Sequence, residues 1–308
     1  MKLAALDLGS NSIHMVIADA SPAGETFQVI DREKDMVKLG AGCFEGGRLT
    51  EDALAAGMRS LRKCAKLIER HGCEEVLAAA TSAIREAKNG GKFLRDVTRQ
   101  TGIAVRVISG EEEARLIYLA VRSVIDLAAR RALILDIGGG SVEVIVGDAQ
   151  SLLSSRVLKL GVLRLRDRFA RRSGPLERRE RKRLEDHIGE IAAPALKKVK
   201  QAEFDLAIGT SGTILALAAG ARALAGKPVQ DALSLTNERL ARADLERLVD
   251  WLCAQPESER GKLAGVDPSR ADTIHVGGVL LLELMKGAGL REIVLCSRAL
   301  REGLILDY

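Results

Sequence analysis

LDLGSNSIHMVIAD, residues 6–19, has a counterpart much later in the same chain, LDIGGGSVEVIVGD, residues 135–148. Aligned without a gap, Asp7 falls on Asp136, Gly9 on Gly138, Ser12 on Ser141 and Asp19 on Asp148. The residues after the serine are apolar in both copies, except that His14 falls on Glu143. Each copy is an apolar run ending in Asp, a Gly/Ser turn, and a second apolar run, the pattern of a β-hairpin. A unit of this kind written twice predicts an internal duplication.

The rest of the chain extends each copy in the same way. After the first hairpin, SPAGE (21–25) reads as a turn and 26–31 as a third strand. Thr50 reads as the N-cap of a helix whose apolar residues Leu54, Met58, Leu61, Ala65 and Ile68 keep helical spacing up to Gly72. Strand 75–80, a helix over TSAIREAKN carrying Arg85, strand 103–108 and a helix opening at GEEEARLIY follow. The layout then restarts: strand 132–137, turn GGGS, strand 142–147 and a third strand over 152–160. A basic helix (176–200), strand 204–208 running into GTSGT, helices near 242–254 and 270–287, strand 292–296 and a terminal helix complete it. The segment 122–130 between the copies reads as helical. Two copies of β-β-β-α-β-α predict an α/β fold with mixed sheets. The division is placed at 1–124 and 125–308, with the terminal helix, about 298–308, able to pack back on the first lobe.

Composition bounds the function. With 308 residues, 47% of them hydrophobic, a core is easily filled. No apolar run is long enough for a membrane span, and the first residues run straight into a strand, so neither membrane insertion nor a leader is expected. Five scattered cysteines without a CxxC pair point to a reducing cytoplasm and away from zinc or disulfides. The net charge of +5 is uneven: residues 156–183 hold twelve Lys and Arg against three acids, a local +9. That field suits a polyanion, although a solvated helical face explains it about equally well. Aromatics are 3% of the chain and no base-stacking motif is present, so nucleic acid is not favoured.

The repeated turn suits phosphate. Gly9 and Gly138 are expected to allow positive φ and a close approach of backbone N–H groups to an anion. Ser10, Asn11 and Ser12 in the first turn, and Gly139, Gly140 and Ser141 in the second, add donors. Asp7 and Asp136, at the strand ends, suit a hydrated divalent cation rather than the phosphate itself, and Mg²⁺ fits such a carboxylate-plus-phosphate setting. One such hairpin is more often a plain turn, so the signal lies in the matched pair. GTSGT, with Gly209, Thr210, Ser211 and Gly212, is a third loop opening a helix; a plain Ser/Thr cap is its ordinary reading.

With these residues in place, the chain resembles the exopolyphosphatase and guanosine pentaphosphate phosphatase family. The resemblance is carried in order by DLGSNSIHMVIAD, ATSAIREAKN, ISGEEEARLIYLAV, LDIGGGSVEVIVGD, IGTSGT and SRALREG, from residue 3 to about 305. It implies two ribonuclease-H-like lobes of the acetate and sugar kinase, heat-shock cognate and actin superfamily, with a cleft between them. It implies Mg²⁺, with Mn²⁺ as a substitute, and Asp7, Asp136 or Glu143 are the candidate ligands by their place at the paired turns. It implies hydrolysis of a terminal phosphoanhydride with Glu113 as catalytic glutamate and Glu143 as second functional acid. The chain resembles a short, two-domain member, and a homodimer is expected. It departs from the family pattern at GVLRL (161–165), near Leu163.

The expected substrate is inorganic polyphosphate, taken one terminal phosphate at a time. Arg85 is a phosphate clamp by guanidinium geometry, or equally a surface arginine by spacing alone. Glu111 and Glu112 read as helix N-terminal acids. His14 reads first as a packed or hydrogen-bonded histidine of an apolar strand. The rival substrate is guanosine pentaphosphate (pppGpp) or a nucleoside triphosphate. The rivals of another class are an acceptor kinase, for which no motif is evident, and a non-hydrolytic ATP-binding actin-like module.

Overall fold

The structure, a computed structural model, describes residues 1–21, 26–229 and 232–308. The turn expected at SPAGE falls largely on 22–25, outside the described residues. The chain forms two compact units, Met1–Ala120 with Arg298–Tyr308, and Val121–Ser297.

The first unit is built on β1 (Lys2–Leu8), β2 (Ile13–Ala20), β3 (Phe27–Asp35), β4 (Glu75–Ala80) and β5 (Val105–Val107), with α1 (Cys43–Gly46), α2 (Glu51–His71), α3 (Ser82–Glu86), α4 (Gly90–Thr101) and α5 (Gly110–Arg122). Its strand order is β3-β2-β1-β4-β5, with β1–β2–β3 antiparallel and β4 and β5 parallel to β1. The hydrophobic pattern drives this arrangement. Leu3, Ala4, Ala5 and Leu6 of β1 are all buried, as expected of a strand covered on both faces. Gly57 of α2 lets Leu39 and Phe93 pack closely against that helix. Thr50 caps α2 through its side chain, which accepts from the Ala53 amide, and Gly72 ends the helix at φ 62°.

The second unit repeats the plan. Its strands β6 (Ala132–Ile137), β7 (Val142–Gly147), β8 (Leu152–Leu158), β9 (Leu206–Thr210), β10 (Arg239–Ala241) and β11 (Glu292–Leu295) lie in the order β10-β11-β9-β6-β7-β8. Here too the first hairpin is antiparallel and β9 joins parallel to β6. Around the sheet lie α6 (Val162–Phe169), α7 (Arg178–Ala202), α8 (Gly212–Leu224), α9 (Arg242–Ala254), α10 (Glu257–Arg260) and α11 (Ile274–Ala288). Every residue of β6 and β7 is buried. The shared order 3-2-1-4-5 is the ribonuclease-H-like fold, present twice, as in the actin-like superfamily. The last helix, α12 (Leu300–Leu306), contacts β1 and β2 of the first unit. A Cβ at Gly303 would run into the Leu116 carbonyl of α5, so the helix can lie there only as glycine.

Three local expectations are corrected. The helix over TSAIREAKN is only Ser82–Glu86; Asn89 bonds the Leu49 backbone through both ends of its amide, and a separate helix, α4, opens at Gly90. The segment 122–130 is not helical: α5 stops at Arg122, and Asp126 ties a turn by accepting from the Ala128 amide. Gly9 and Gly138 do not have positive φ. They are glycines for space, since a Cβ would stand 3.0 Å from the Ser12 carbonyl in one turn and 3.3 Å from the Ser141 carbonyl in the other.

Candidate active site

The two hairpin turns close alike. The Gly9 amide donates to the Ser12 carbonyl at 3.1 Å, and the Gly138 amide to the Ser141 carbonyl at 3.0 Å. Asp7 faces His14 across β1–β2, and Asp136 faces Glu143 across β6–β7. The divergent pair in the sequence alignment therefore occupies one structural position.

In the first turn the carbonyls of Ser10 and Asn11 are taken by the amides of Gly40 (2.8 Å) and Lys38 (2.9 Å). Lys38 adopts φ 49°, an uncommon conformation for a non-glycine residue. Because a trans peptide points its C=O and the next N–H in opposite directions, the amides of Asn11 and Ser12 face away from this brace. The Ser10 side chain points inward, 2.8 Å from the Ser82 hydroxyl and accepting from the Ala83 amide at 3.1 Å. Its hydroxyl therefore fastens the turn to α3 rather than standing among the outward donors.

α3 carries Arg85, and α5 begins with Glu113 in its first turn. Arg85 Nη1 donates to the Ile108 carbonyl (2.8 Å) and lies 3.3 Å from Glu113 Oε2. The Glu113 side chain is 10% exposed and that of Arg85 25%. Arg85 is thus not a surface arginine; it holds the catalytic candidate. Glu111 is exposed, and Glu112 is engaged by Arg115, which keeps its carboxyl below the usual range.

Asp7 Oδ1 and Asn11 Oδ1 are both buried acceptors without a hydrogen-bond partner. Burial pushes the Asp7 carboxyl up to about 6, against the pull of Arg301 and with a further push from Glu302. Two orphaned oxygens, one of them a carboxylate, fit a hard cation or its water. Arg301, from α12, donates to His14 Nδ1 at 2.8 Å. His14 is accordingly a hydrogen-bonded strand residue, set in place from the far end of the chain.

In the second unit Ser141 Oγ donates to Glu143 Oε1 at 2.7 Å, and Glu143 is 1% exposed. The carbonyls of Gly138 and Gly139 accept from the amides of Val162 (3.0 Å) and Leu163 (2.9 Å) at the start of α6. The Gly140 carbonyl accepts from Arg164 Nε at 3.0 Å. All three carbonyls are turned toward GVLRL, so the amides of Gly139, Gly140 and Ser141 point to the other side, as donors suited to an anion. The departure seen in the sequence at 161–165 is thus the segment that braces the second turn.

The third loop is a cap and more. Ser211 caps α8 by accepting from the Ile214 amide at 3.3 Å. It does so at φ 95°, ψ 154°, a region close to glycine-only. Gly209 packs beneath Ile293 and Ile214, and the Thr210 side chain is fully buried. A Cβ at Gly212 would come within 2.5 Å of the Arg270 guanidinium. Arg270 is 5% exposed, and burial lowers its pKa. This buried cation laid on a Gly/Ser loop escaped the sequence reading, because PSRAD carries no periodic signal.

The basic segment is not one face. Arg164 turns in to Gly140, Arg166 pairs with Asp167 and Asp272, and Arg181 pairs with Glu185 and Asp250. Arg168, Arg171, Arg178, Arg179 and Arg183 are exposed. Arg168 and Arg183 also lie over the Phe169 ring. Among the described residues no group of three or more His, Cys, Asp or Glu could hold a metal by itself. Asp7, Asp136 and Glu143 thus form no such cage. Mg²⁺, which takes one or two carboxylates and fills the rest with water and phosphate oxygens, needs none. No helix is long and apolar enough to cross a membrane among those residues.

A duplicated ribonuclease-H-like fold with an amide-lined turn in each half, and a carboxylate–guanidinium pair beside one of them, defines a protein that handles phosphoryl groups. The chain belongs to the Ppx/GppA phosphatase family, whose model matches residues 16–308. Exopolyphosphatase 1 of Mycobacterium tuberculosis is 32% identical over 310 residues, covering 99% of this chain and 88% of that protein. The corresponding protein of Mycobacterium leprae is 31% identical over 312 residues, covering 99% and 89%. The crystal structure of an exopolyphosphatase from Cytophaga hutchinsonii matches with a TM-score of 0.92 at 29% identity, covering 100% of this chain and 98% of that one. The Aquifex aeolicus member of the family gives 0.80 at 29% identity, covering 100% and 97%.

Proposed function

We propose that this chain is an exopolyphosphatase, a hydrolase that removes the terminal phosphate of inorganic polyphosphate with the help of Mg²⁺. The observation that carries the reading is the Arg85–Glu113 pair beside a turn whose outward amides suit phosphate. Curated relatives named exopolyphosphatase across nearly the whole chain support it.

Hydrolysis needs a bound terminal phosphate, an oriented water and a proton acceptor. In the first unit the amides of Asn11 and Ser12, and in the second unit, taken by itself, the amides of Gly139, Gly140 and Ser141 and the third loop, are donors suited to phosphate oxygens. Arg85 steadies the Glu113 carboxylate and offers its remaining N–H groups as a clamp. Glu113 takes the proton from water as its oxygen bonds to the terminal phosphorus. The bond from that phosphorus to the bridging oxygen breaks, and the electron pair leaves with the shortened chain. Orthophosphate is the second product. Within each unit taken by itself, Asp7 in the first and Asp136 or Glu143 in the second are the carboxylates that would hold a Mg²⁺, which would draw charge from phosphate oxygens. Glu143 is oriented by Ser141.

Phosphate release from long-chain polyphosphate, pppGpp and ATP, each with and without Mg²⁺, tests the reading. Release from polyphosphate well above the other two is expected. Preference for pppGpp would move the assignment to the other branch of the family. Nucleotide retained with no release would point to a binding module.

Metal dependence is the first expected outcome. Excess chelator should abolish release and Mg²⁺ or Mn²⁺ restore it. Asp7 must be ionised to bind a cation, and its carboxyl lies at about 6, so a proton competes below that value. The Mg²⁺ concentration for half-activity should therefore rise as pH falls through 6, and Asp7→Asn should abolish that pH dependence. Full activity in chelator would remove the metal from the mechanism.

The exposed arginines give a second expectation. Reversing Arg171, Arg172, Arg178 and Arg179 to Glu should weaken long chains far more than tripolyphosphate, and added salt should act in the same direction. Equal losses on both lengths would mean a solvated face alone.

A further inference from the structure

The three carbonyls of the second turn are braced in two different ways. Those of Gly138 and Gly139 are held by backbone amides of α6, which nearly any sequence supplies. That of Gly140 is held by a side chain, Arg164 Nε, at 3.0 Å. In the first turn both braced carbonyls, Ser10 and Asn11, take backbone amides. The second turn therefore depends on one side chain for the orientation of its last peptide, the one that carries the Ser141 amide. Without that hold the Gly140–Ser141 peptide, preceded by two further glycines, is free to rotate its carbonyl into the space where the phosphate oxygen belongs. A carbonyl there repels phosphate, whereas the amide attracts it.

We infer that Arg164 is a positioning residue. It acts through its Nε–H on the Gly140 carbonyl, fixing the Ser141 amide of the second turn for a phosphoryl group, and its charge is not what matters. The inference rests on the proposed phosphate-binding role of the second turn. The neighbourhood agrees with it. Gly161, where a Cβ would collide with the backbone of Gly139 and Gly140, brings the start of α6 so close that Arg164 reaches the carbonyl from beneath.

Side-chain chemistry supplies a test that separates this role from a charge effect. Glutamine places its amide nitrogen at the same bond count from the backbone as Arg Nε, as a neutral donor. Methionine places a methyl group there. Lysine places a methylene there and keeps the charge. Positioning predicts that Arg164→Gln retains kcat/KM within about threefold, while Arg164→Lys and Arg164→Met both fall roughly ten- to a hundredfold, the scale of a small misplacement in a site. The losses should be equal on tripolyphosphate and on long chains, and melting temperatures should stay together. Lysine above glutamine would overturn the proposal in favour of a direct charge contact. Equal loss in all three, or no loss in any, would overturn it as well. A binding readout stands apart from turnover. In ¹⁵N-serine-labelled protein, the Ser141 amide signal should shift on adding pyrophosphate in the native chain and in Arg164→Gln, but not in Arg164→Met. If the native chain released no phosphate from polyphosphate, the functional reading would fall, and these shifts would still decide the role of Arg164.

Discussion

Glu113→Gln should lower kcat on polyphosphate by roughly 10²- to 10⁴-fold, about 3–5 kcal/mol of barrier, the usual contribution of a general base. The substitution keeps the size of the side chain and an oxygen for Arg85, which now lies 3.3 Å from Oε2, but removes the proton acceptor. Polyphosphate binding should survive or tighten slightly, because a negative charge leaves an anion site. Stability should change little, since an acid at a helix start contributes about 0.3–1 kcal/mol. Glu111→Gln and Glu112→Gln are the matched controls. Glu111 is exposed and Glu112 is committed to Arg115, so both should keep most of their turnover. Turnover of Glu113→Gln above about a tenth of the native rate would lie outside the usual range for a base and move that role elsewhere.

Gly161→Ala should be nearly as damaging for a different reason. Gly161 has φ −63° and ψ 152°, which alanine adopts without strain. The obstacle is space: the new Cβ would land within the backbone of Gly139 and Gly140, which has no flexible end to swing away. Either α6 or the second turn must shift. Overpacking of this kind costs about 1–3 kcal/mol of stability, and a displacement near 1 Å in a phosphate-binding turn costs about 10²-fold in rate. Urea unfolding and kcat/KM together should register both. Gly189→Ala provides the contrast, since nothing lies near a Cβ there and the residue is inside α7. It should stabilise by roughly 0.5–1 kcal/mol, with activity intact. A Gly161→Ala protein with native stability and turnover would show that α6 does not brace the turn.

The repeated hairpin was legible because its information is local. Asp7 and Asp136, Gly9 and Gly138, and Ser12 and Ser141 align residue for residue, and apolar alternation with glycine punctuation marks strand, turn and strand. Positive φ is nonetheless not what marks the glycines at 9 and 138; a Cβ at either would stand tight against a carbonyl of its own turn. Arg85 could be read two ways from spacing. Its bond to Glu113 joins residues 28 apart and rules out a plain surface arginine. Arg171 and Arg164 looked alike inside one basic run, although the first is exposed and the second is turned toward Gly140.

By itself the sequence determined the duplicated α/β plan, most of its strands, the two Asp-Gly turns and the acid-rich helix start that carries Glu113, but not α4, α6 or β10. Backbone propensity and hydrophobic period act over a few residues, and the duplication doubled their signal. Tertiary structure alone decided which way the turns face. That direction follows from carbonyls captured by Gly40, Lys38, Val162, Leu163 and Arg164, all distant in sequence from the turn they hold. It also decided that Arg270 lies buried against Gly212, and that Arg301 reaches His14 across 287 positions. A hydrogen bond or a steric limit between remote residues leaves no periodic trace in the chain. It exists only once each sheet and its own helices have packed and brought the partners within about 3 Å, the range of a hydrogen bond.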